Sequence, residues 1–291
     1  MISQSNTLPL IGLLRLVRPK QWIKNTFVLA PLVFAREFTD PASVANALIA
    51  FGLFCIASSA SYILNDIHDI ERDRSHPVKR HSRLLAGGTV SIRAAVGLLV
   101  ACYCVLVAGW FWSVDTMLAI FAYLALNVAY TYWLKHQPVL DLFSIASGFV
   151  LRAYAGALAL GVPLSSWMAI ATLCLALCLA LYLAAIKRRQ ELASNGAESR
   201  EVLRMYSTAL IDRYAEMSAT GALIFYSLFV MSANAKLAAT IPLVIFGLYR
   251  YWYVVERLGG GESPTDAVLS DIPLALSIVI WVGVCVVALR P

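Results

Sequence analysis

Residues 43–73, SVANALIAFGLFCIASSASYILNDIHDIERD, carry the pattern that decides the fold. Residues 43–64 are mostly apolar and are long enough to cross the core of a bilayer as one helix. Similar apolar runs recur along the 291-residue chain, in which 60% of the residues are hydrophobic, 14% are charged and the mean hydropathy is +0.74. This composition predicts an all-α protein, a polytopic membrane bundle, and argues against a soluble domain.

The apolar runs predict about nine transmembrane helices in one domain that covers residues 1–291. A short amphipathic segment at residues 8–17 precedes them, and we expect it to lie on the membrane surface. It does not resemble a cleavable signal, because Arg15 interrupts its apolar run and no small-residue cleavage site follows. The predicted spans are 22–35, 43–64, 93–112, 116–133, 139–160, 166–186, 215–232, 238–255 and 271–289.

The basic residues predict how the bundle is oriented. Placing the N-terminus in the cytoplasm leaves only Arg36, Lys236 and Arg290 outside, with Arg152 inside a span and the other bases on cytoplasmic segments. The net charge of +6 is therefore explained by topology, and no nucleic-acid partner is needed to account for it. Because the long charged connections share the cytoplasmic side, we expect the active site on that face of the inner (plasma) membrane.

Acidic side chains follow the second predicted span at helical spacing. If the helix continues, the aspartates share one face over two turns. Like charges this close need a cation, and oxygen ligands suit a divalent one. Mg²⁺ is usually held by one or two carboxylates together with substrate phosphates, so the face predicts a metal site for a bound diphosphate. The residues, at steps 0, 1, 4 and 8, are Asn65, Asp66, Asp69 and Asp73, of which the aspartates are the expected metal ligands and catalytic groups.

Bases follow these acids within a few residues. Lys79, Arg80 and Arg83 precede the flexible pair Gly87 and Gly88, so they are placed to close over an anion. Ammonium and guanidinium groups form charge-assisted hydrogen bonds with phosphate, which favours a substrate-binding role. The alternative is a solvated helix end whose acids simply pair with the neighbouring bases.

The fifth predicted span carries a polar stripe on an apolar helix. Eleven helical steps amount to three turns plus about 20°, so residues at that separation share a face. A buried arginine costs roughly 2.5 to 3.5 kcal/mol on insertion scales, so it needs an acid, a wet cavity or a bound phosphate. An ion pair with a neighbouring span is the structural alternative, and the small residues favour close helix packing. The stripe consists of Asp141, Ser144, Gly148, Arg152 and Gly156.

Other polar residues stand where the predicted spans meet the cytoplasm. Each could serve a substrate phosphate, or it could anchor its span by the positive-inside rule or hydrogen bond to another helix. We include them as substrate-binding candidates together with Asn65, Lys79, Arg80, Asp141 and Arg152. They are Lys24, Tyr130, Lys135, Lys187 and Arg188.

The aspartate motif at 65–73 resembles the first aspartate-rich motif of the UbiA superfamily of intramembrane prenyltransferases, and the nine-span layout is similar to that fold. Four stretches in this order resemble its decaprenyl-phosphate phosphoribosyltransferase branch. They are RPKQWIKN (18–25), NDIHDIERDRSHPVKR (65–80), LDLFSIASGFVLRAYAGA (140–157) and KRRQEL (187–192). The similarity extends over nearly the whole chain. The motif alone indicates only the superfamily, whereas the four stretches together indicate the branch.

The resemblance implies an Mg²⁺-dependent enzyme that transfers a 5-phosphoribosyl group from 5-phosphoribosyl 1-diphosphate to a polyprenyl phosphate and releases diphosphate. Its product would supply lipid-linked pentose for cell-envelope polysaccharide. Ordinary members of the superfamily carry a second aspartate-rich motif after the sixth span, whereas residues 187–191 here read KRRQE. Bases in that place fit two reactants that together bring several negative charges into one cleft.

Two other functions stay open at this stage. One is an ordinary UbiA-type prenyltransferase that joins a prenyl diphosphate to an aromatic or other small acceptor. The missing second aspartate-rich motif argues against this function. The other is a membrane transporter whose Asp141 and Arg152 relay ions, because polar residues inside spans often mark pathways.

Overall fold

A computed structural model describes residues 8–75, 83–162, 166–195, 201–257, 267–268 and 270–289. Every regular element in these residues is a helix, as the composition predicts. The α-helices are α1 (Leu8–Leu16), α2 (Ala30–Phe34), α3 (Pro41–His68), α4 (Ile70–Ser75), α5 (Ile92–Gly109), α6 (Val114–Tyr132), α7 (Leu140–Ala159), α8 (Ser166–Asn195), α9 (Thr208–Ala233), α10 (Ile241–Arg257) and α11 (Ile272–Leu289). The 3₁₀ helices cover Pro19–Leu29, Glu37–Thr39, Leu134–His136, Glu201–Met205 and Ala235–Thr240.

Seven helical stretches among the described residues are long and apolar enough to cross a membrane. They are α3, α5, α6, α7, α9, α11 and the stretch Ala235–Arg257, which contains α10. α8 covers the predicted span 166–186 and extends beyond it. The predicted spans from the second to the ninth therefore each coincide with a helix, and the count of nine is approximate.

The first predicted span, 22–35, is not one continuous α-helix. A 3₁₀ helix occupies Pro19–Leu29, and only the five residues of α2 continue it as α-helix. Pro31 has no backbone N–H to donate to the carbonyl of Phe27, which interrupts the α-helical ladder at this point. The 3₁₀ helix packs instead against α3 and α7, where it forms part of the functional site.

α7 is the central helix around which the site is built, because it packs against α3, α6, α8 and the 3₁₀ helix Pro19–Leu29. The approach of the 3₁₀ helix is close: a Cβ on Gly156 would lie 2.0 Å from the carbonyl oxygen of Val28. No residue larger than glycine fits there without moving one of the two backbones. The predicted packing role of Gly156 is confirmed.

Side-chain caps fix several helix starts. Asp40 accepts a hydrogen bond from the backbone N–H of Ser43 (2.8 Å) and thereby begins α3. This backbone hydrogen bond lowers the pKa of Asp40, so the cap stays ionised at neutral pH. Ser91, Ser113 and Ser207 cap α5, α6 and α9 in the same way. Polar caps at these points are typical of helix N-termini, where backbone donors lack partners.

Candidate active site

One cavity of about 1320 Å³ opens between the helices and receives both charged and apolar side chains. Its charged wall includes Arg18, Asp69, Asp73, Arg83, Lys135 and Lys187. Its apolar wall comes largely from α8, with further residues from the 3₁₀ helix Pro19–Leu29 and from α2, α7, α10 and α11. A site of this kind suits a ligand that joins a charged group to a hydrocarbon.

Three oxygen-bearing side chains form one wall of the cavity: Asn65, Asp69 and Asp73. Although α3 ends at His68, the helical hydrogen-bond pattern passes across the junction. The backbone N–H of Asp69 donates to the carbonyl of Asn65 (2.9 Å), and that of Asp73 donates to the carbonyl of Asp69 (2.8 Å). Steps of four residues therefore remain one turn apart, which keeps the three side chains on the same face.

Asp66 lies in a different environment from the other two aspartates and is not among the residues that line the cavity. It is 8% exposed and accepts hydrogen bonds from Arg18 at both carboxylate oxygens (2.6 and 2.7 Å) and from Arg83 (3.3 Å). One helical step of about 100° from Asn65 turns its side chain away from that face. The expectation that all three aspartates share the face therefore needs correction, because Asp66 holds two arginines of the cavity wall.

The aspartates on the cavity wall also contact cations. The ammonium of Lys135 lies 3.0 and 3.2 Å from the two carboxylate oxygens of Asp69, and the Nε of Arg83 lies 3.8 Å from Asp73. In the described parts of the chain, no three His, Cys, Asp or Glu side chains are grouped closely enough to hold a metal by themselves.

The carboxylate oxygens on the cavity wall nevertheless fit Mg²⁺ if the metal binds together with a substrate. Mg²⁺ prefers oxygen ligands and is usually held by one or two carboxylates plus phosphate oxygens and water, not by a cage of protein side chains. Asp69 and Asp73 offer such carboxylates on the cavity wall. The ammonium of Lys135 beside Asp69 marks a place where a positive charge is favourable.

A second group of polar residues surrounds Arg152, which is 5% exposed and lines the cavity. Its Nε donates to the side-chain oxygen of Asn25 (2.8 Å), and its Nη2 donates to the hydroxyl of Tyr123 (3.0 Å). The guanidinium also stands over the rings of Tyr123 (4.7 Å) and Phe149 (5.0 Å). Asn25 is itself held by donating to Ser58 (3.1 Å). Arg152 forms no ion pair with any described residue, so the structural alternative, a pair with an acid on a neighbouring span, is not observed in this part of the chain.

Arg188 and Asp141, which the sequence predicts to bind substrate, are instead buried together. Asp141 is fully buried, Arg188 is 1% exposed, and neither lines the cavity. The guanidinium donates to Asp141 (2.7 Å), to Glu191 (2.6 Å) and to the hydroxyl of Tyr130 (3.3 Å). Because both acids already neutralise it, Arg188 joins α6, α7 and α8 as a structural group. Only Tyr130 of this network reaches the cavity.

Tyr206 completes the network from the polar end of the bundle. Its hydroxyl donates to Asp141 (2.8 Å) and accepts a hydrogen bond from the backbone N–H of Val139 (2.6 Å). Burial raises the pKa of Tyr206, and the hydrogen bond to Asp141 raises it further. The hydroxyl therefore stays protonated and remains a donor.

The bases of the run KRRQE at 187–191 have divided roles. Lys187 lines the cavity and lies 3.9 Å from Glu191. Arg189 instead pairs with Asp212 (2.6 Å). Of residues 187–191, Lys187 alone lines the cavity. The predicted substrate ligands Lys79 and Arg80 lie outside the described residues.

Arg18 and Tyr62 line the cavity but are absent from the predicted site residues. The guanidinium of Arg18 stands 4.9 Å from the centre of the Tyr62 ring and binds Asp66 from 48 positions away in sequence. Within RPKQWIKN, Arg18 fits a belt of bases facing lipid headgroups equally well. Spacing within one segment carries no signal for a partner on another helix.

The helices are long and apolar enough to cross a membrane, and they surround a cavity with acids and bases on one wall and apolar side chains on another. These features define an integral membrane protein with a site for a ligand that is charged at one end and apolar at the other. The chain belongs to the UbiA prenyltransferase family, which matches residues 26–265. It is thus an intramembrane enzyme of the transferase class. Both the predicted family and the predicted all-α fold are confirmed.

Named relatives are similar over almost the full chain. The protein is 34% identical over 295 aligned positions to the decaprenyl-phosphate phosphoribosyltransferase of Mycolicibacterium smegmatis, covering 94% of this chain and 90% of that protein. It is 30% identical over 282 positions to the protein of the same name from Mycobacterium tuberculosis, covering 94% and 92%. A solved UbiA homolog from Archaeoglobus fulgidus, bound to GPP and Mg²⁺, has a TM-score of 0.73 at 19% identity and covers 96% of this chain and 99% of its own.

Proposed function

We propose that the protein transfers the 5-phosphoribosyl group of 5-phosphoribosyl 1-diphosphate to a polyprenyl phosphate and releases diphosphate. The observation that carries the proposal is the cavity of about 1320 Å³, in which two aspartates and several bases face an apolar wall. Two phosphorylated reactants, one of them a lipid, need such a combination. The names of the relatives at 30–34% identity support the same reaction.

The carboxylates Asp69 and Asp73 would hold Mg²⁺ together with the diphosphate of the donor. When bound, the metal would act as a Lewis acid that stabilises the negative charge developing on the leaving group. Asp66 is assigned a different task, because it orients Arg18 and Arg83 toward the cavity. These two arginines and Lys135 donate hydrogen bonds to the diphosphate oxygens, and Lys187 adds positive charge from α8.

The reaction itself needs little acid–base help. An oxygen of the acceptor phosphate forms a bond to ribose C1, the bond from C1 to the diphosphate breaks, and its electron pair leaves with the diphosphate. A phosphate monoester has a second pKa near 6, so the acceptor is mostly dianionic at neutral pH and needs no strong base. Positioning and charge stabilisation are therefore the main contributions of the chain.

We place the reaction at the cytoplasmic face of the inner membrane, since the positive-inside pattern puts the charged connections there. The product would be a lipid-linked pentose phosphate for cell-envelope polysaccharide. The apolar wall, with Phe27, Phe149 and Trp281, would accommodate the polyprenyl chain near the reacting phosphate.

The second candidate is an ordinary UbiA-type prenyltransferase, which the solved homolog bound to GPP and Mg²⁺ favours. Against it stands the run KRRQE at 187–191 in place of a second pair of aspartates. A transporter that relays ions through Asp141 fits less well, because that carboxylate is fully buried and accepts hydrogen bonds from Arg188 and Tyr206.

A paired assay distinguishes these functions. Purified protein with Mg²⁺ is given labelled 5-phosphoribosyl 1-diphosphate and a polyprenyl phosphate, and a parallel sample is given a prenyl diphosphate and a small aromatic acid. We expect labelled lipid in the first reaction and no coupled product in the second. The reverse result would replace our proposal with the ordinary prenyltransferase.

A further inference from the structure

Most bases of the cavity wall already have an acid beside them. Arg18 and Arg83 contact Asp66, and Lys135 contacts Asp69. Three further bases line the cavity without an ion pair to any described residue: Arg152, Lys24 and Arg72. Arg72 is exposed to solvent, whereas Arg152 is buried and Lys24 is partly buried, so the charges of Arg152 and Lys24 are the ones that lack compensation. Lys24 is within electrostatic range of both Arg152 and Arg18, and the positive charge of each repels its ammonium group.

Two like charges on a largely apolar cavity wall are unfavourable unless an anion joins them. The aromatic rings beside Arg152 compensate only partly, because a ring quadrupole is weaker than a full counter-charge. Asn25 fixes the guanidinium with a neutral oxygen, where an acid would have cancelled its charge. The Nη1 atom stands beside Gly148 and forms no hydrogen bond within the described chain, so it remains available to a ligand.

We infer that Arg152 and Lys24 form a subsite for a phosphate monoester, and that its occupant is the phosphate of the lipid acceptor. This inference rests on the proposed function and assigns one of its two reactants to a place. The donor's 5-phosphate has the same chemistry, but the surroundings favour the lipid. Phe149, Ala153 and Ala157 line the cavity from the same helix as Arg152, so hydrocarbon contacts lie close to its guanidinium.

The position of Lys24 relates the subsite to the reaction. Lys24 is in electrostatic range of Arg18, which binds Asp66 on the diphosphate side, and of Arg152, which would bind the acceptor. The two phosphorylated groups would thus be held by neighbouring sets of cations, and the ribose carbon would lie between them. Asn25 and Tyr123 act as positioning residues, because they orient the guanidinium by hydrogen bonds.

The sharpest test is Asn25→Asp. This nearly isosteric change keeps an oxygen for the Nε of Arg152 but supplies the missing negative charge. If Arg152 only stabilises the fold, the new ion pair leaves the protein at least as stable and as active. If Arg152 binds the acceptor, the phosphate is repelled and its affinity falls by about tenfold or more, the loss typical of a charged hydrogen bond.

Binding is measured on the purified full chain in detergent with farnesyl phosphate, with farnesol and ribose 5-phosphate as comparison ligands. We expect Asn25→Asp, Arg152→Gln and Lys24→Gln to weaken farnesyl phosphate binding at least about tenfold, and ribose 5-phosphate binding by less than twofold. Arg152→Lys should lose less affinity because it keeps the charge. Arg93→Gln, which removes an exposed arginine on α5, is the matched control and should change neither.

Kinetics gives a second readout. The variants should raise the KM for the polyprenyl phosphate and leave the KM for 5-phosphoribosyl 1-diphosphate unchanged.

Selective loss of ribose 5-phosphate affinity, or unchanged farnesyl phosphate binding in Asn25→Asp and Lys24→Gln, would overturn the assignment. Failure of the proposed reaction has a different signature: the wild type would bind farnesyl phosphate and lose it in the variants, yet form no labelled lipid. Lys24→Gln removes no hydrogen bond within the described chain, so this variant still tests the assignment if the Asn25→Asp protein does not fold.

Discussion

Arg152 and Arg188 are both buried arginines on neighbouring helices, but their surroundings give them different roles. Arg188 donates to Asp141 and Glu191, so its charge is neutralised inside the protein. Within the described residues, Arg152 has only the neutral oxygens of Asn25 and Tyr123 as hydrogen-bond acceptors. The counter-charge, more than burial, distinguishes a structural arginine from one that is available to a ligand.

The structural arginine leads to the first prediction. Arg188→Gln should lower the free energy of unfolding by about 3–5 kcal/mol, because it leaves Asp141 buried without its counter-charge. Adding Asp141→Asn to Arg188→Gln should restore part of that loss, since the uncompensated charge is then gone. Denaturant unfolding of the purified protein in detergent, followed by circular dichroism, measures both. Strictly additive losses would show that the two side chains do not act as a pair.

The aspartates lead to the second prediction. Asp69→Asn should raise the Mg²⁺ concentration for half-maximal activity by about tenfold or more, because a neutral amide replaces the carboxylate that we propose as a metal ligand. Asp66→Asn should instead lower kcat without shifting that concentration, because it releases Arg18 and Arg83. Initial rates across an Mg²⁺ titration separate the two effects, and calorimetric Mg²⁺ binding in the presence of diphosphate provides a readout without turnover. An equal shift in both variants would make Asp66 a metal ligand too.

Among the elements, the sequence predicts most helices well because membrane length and hydropathy are local properties. It also places Asn65, Asp69 and Asp73 on one face, since helical spacing is local as well. The partners across helices could not be predicted. Arg152 contacts Asn25 at a separation of 127 residues, and Lys135 contacts Asp69 at 66. Such contacts depend on how neighbouring helices are rotated and shifted against each other, which the periodicity of either helix leaves undetermined.

The contact between α7 and the 3₁₀ helix Pro19–Leu29 gives the third prediction. Gly156→Ala should destabilise the protein and weaken acceptor binding, because its Cβ would lie 2.0 Å from the carbonyl oxygen of Val28. Separating these elements moves the 3₁₀ helix that carries Lys24. Gly97→Ala on α5 is the matched control, since no heavy atom lies within 4 Å of the added Cβ.

The control should be neutral or stabilising by up to about 1 kcal/mol, because alanine has the higher helix propensity. Thermal midpoints and KM values for both substrates measure the two variants. A Gly156→Ala protein with wild-type stability and acceptor KM would show that the 3₁₀ helix moves aside without cost.

For the whole molecule, the alternation of helix direction explains why the charged residues meet. Asp69 directly follows the C-terminal end of α3, and Lys135 lies in the 3₁₀ helix that follows α6. Lys187 lies in the C-terminal third of α8, and Asp141 lies in the first turn of α7. Helices that cross a membrane in alternating directions bring these four ends to the same side. The contacts of Lys135 with Asp69 and of Arg188 with Asp141 are the direct result. At the opposite side, the Asn234 amide after α9 donates to the carbonyl of Ala288 in α11 (3.1 Å).

This arrangement gives the last prediction, which concerns orientation. The donor we propose is a charged, phosphorylated sugar that does not cross a bilayer unaided, so we expect the charged end of the cavity to face the cytoplasm. Arg93 and Lys236 are exposed residues at the two ends of the bundle and serve as reporters. In a variant with its six native cysteines replaced, Lys236→Cys should react with a membrane-impermeant maleimide in intact cells. Arg93→Cys should react only after permeabilisation, and the inverse pattern would turn the cavity toward the outside and remove its access to the donor.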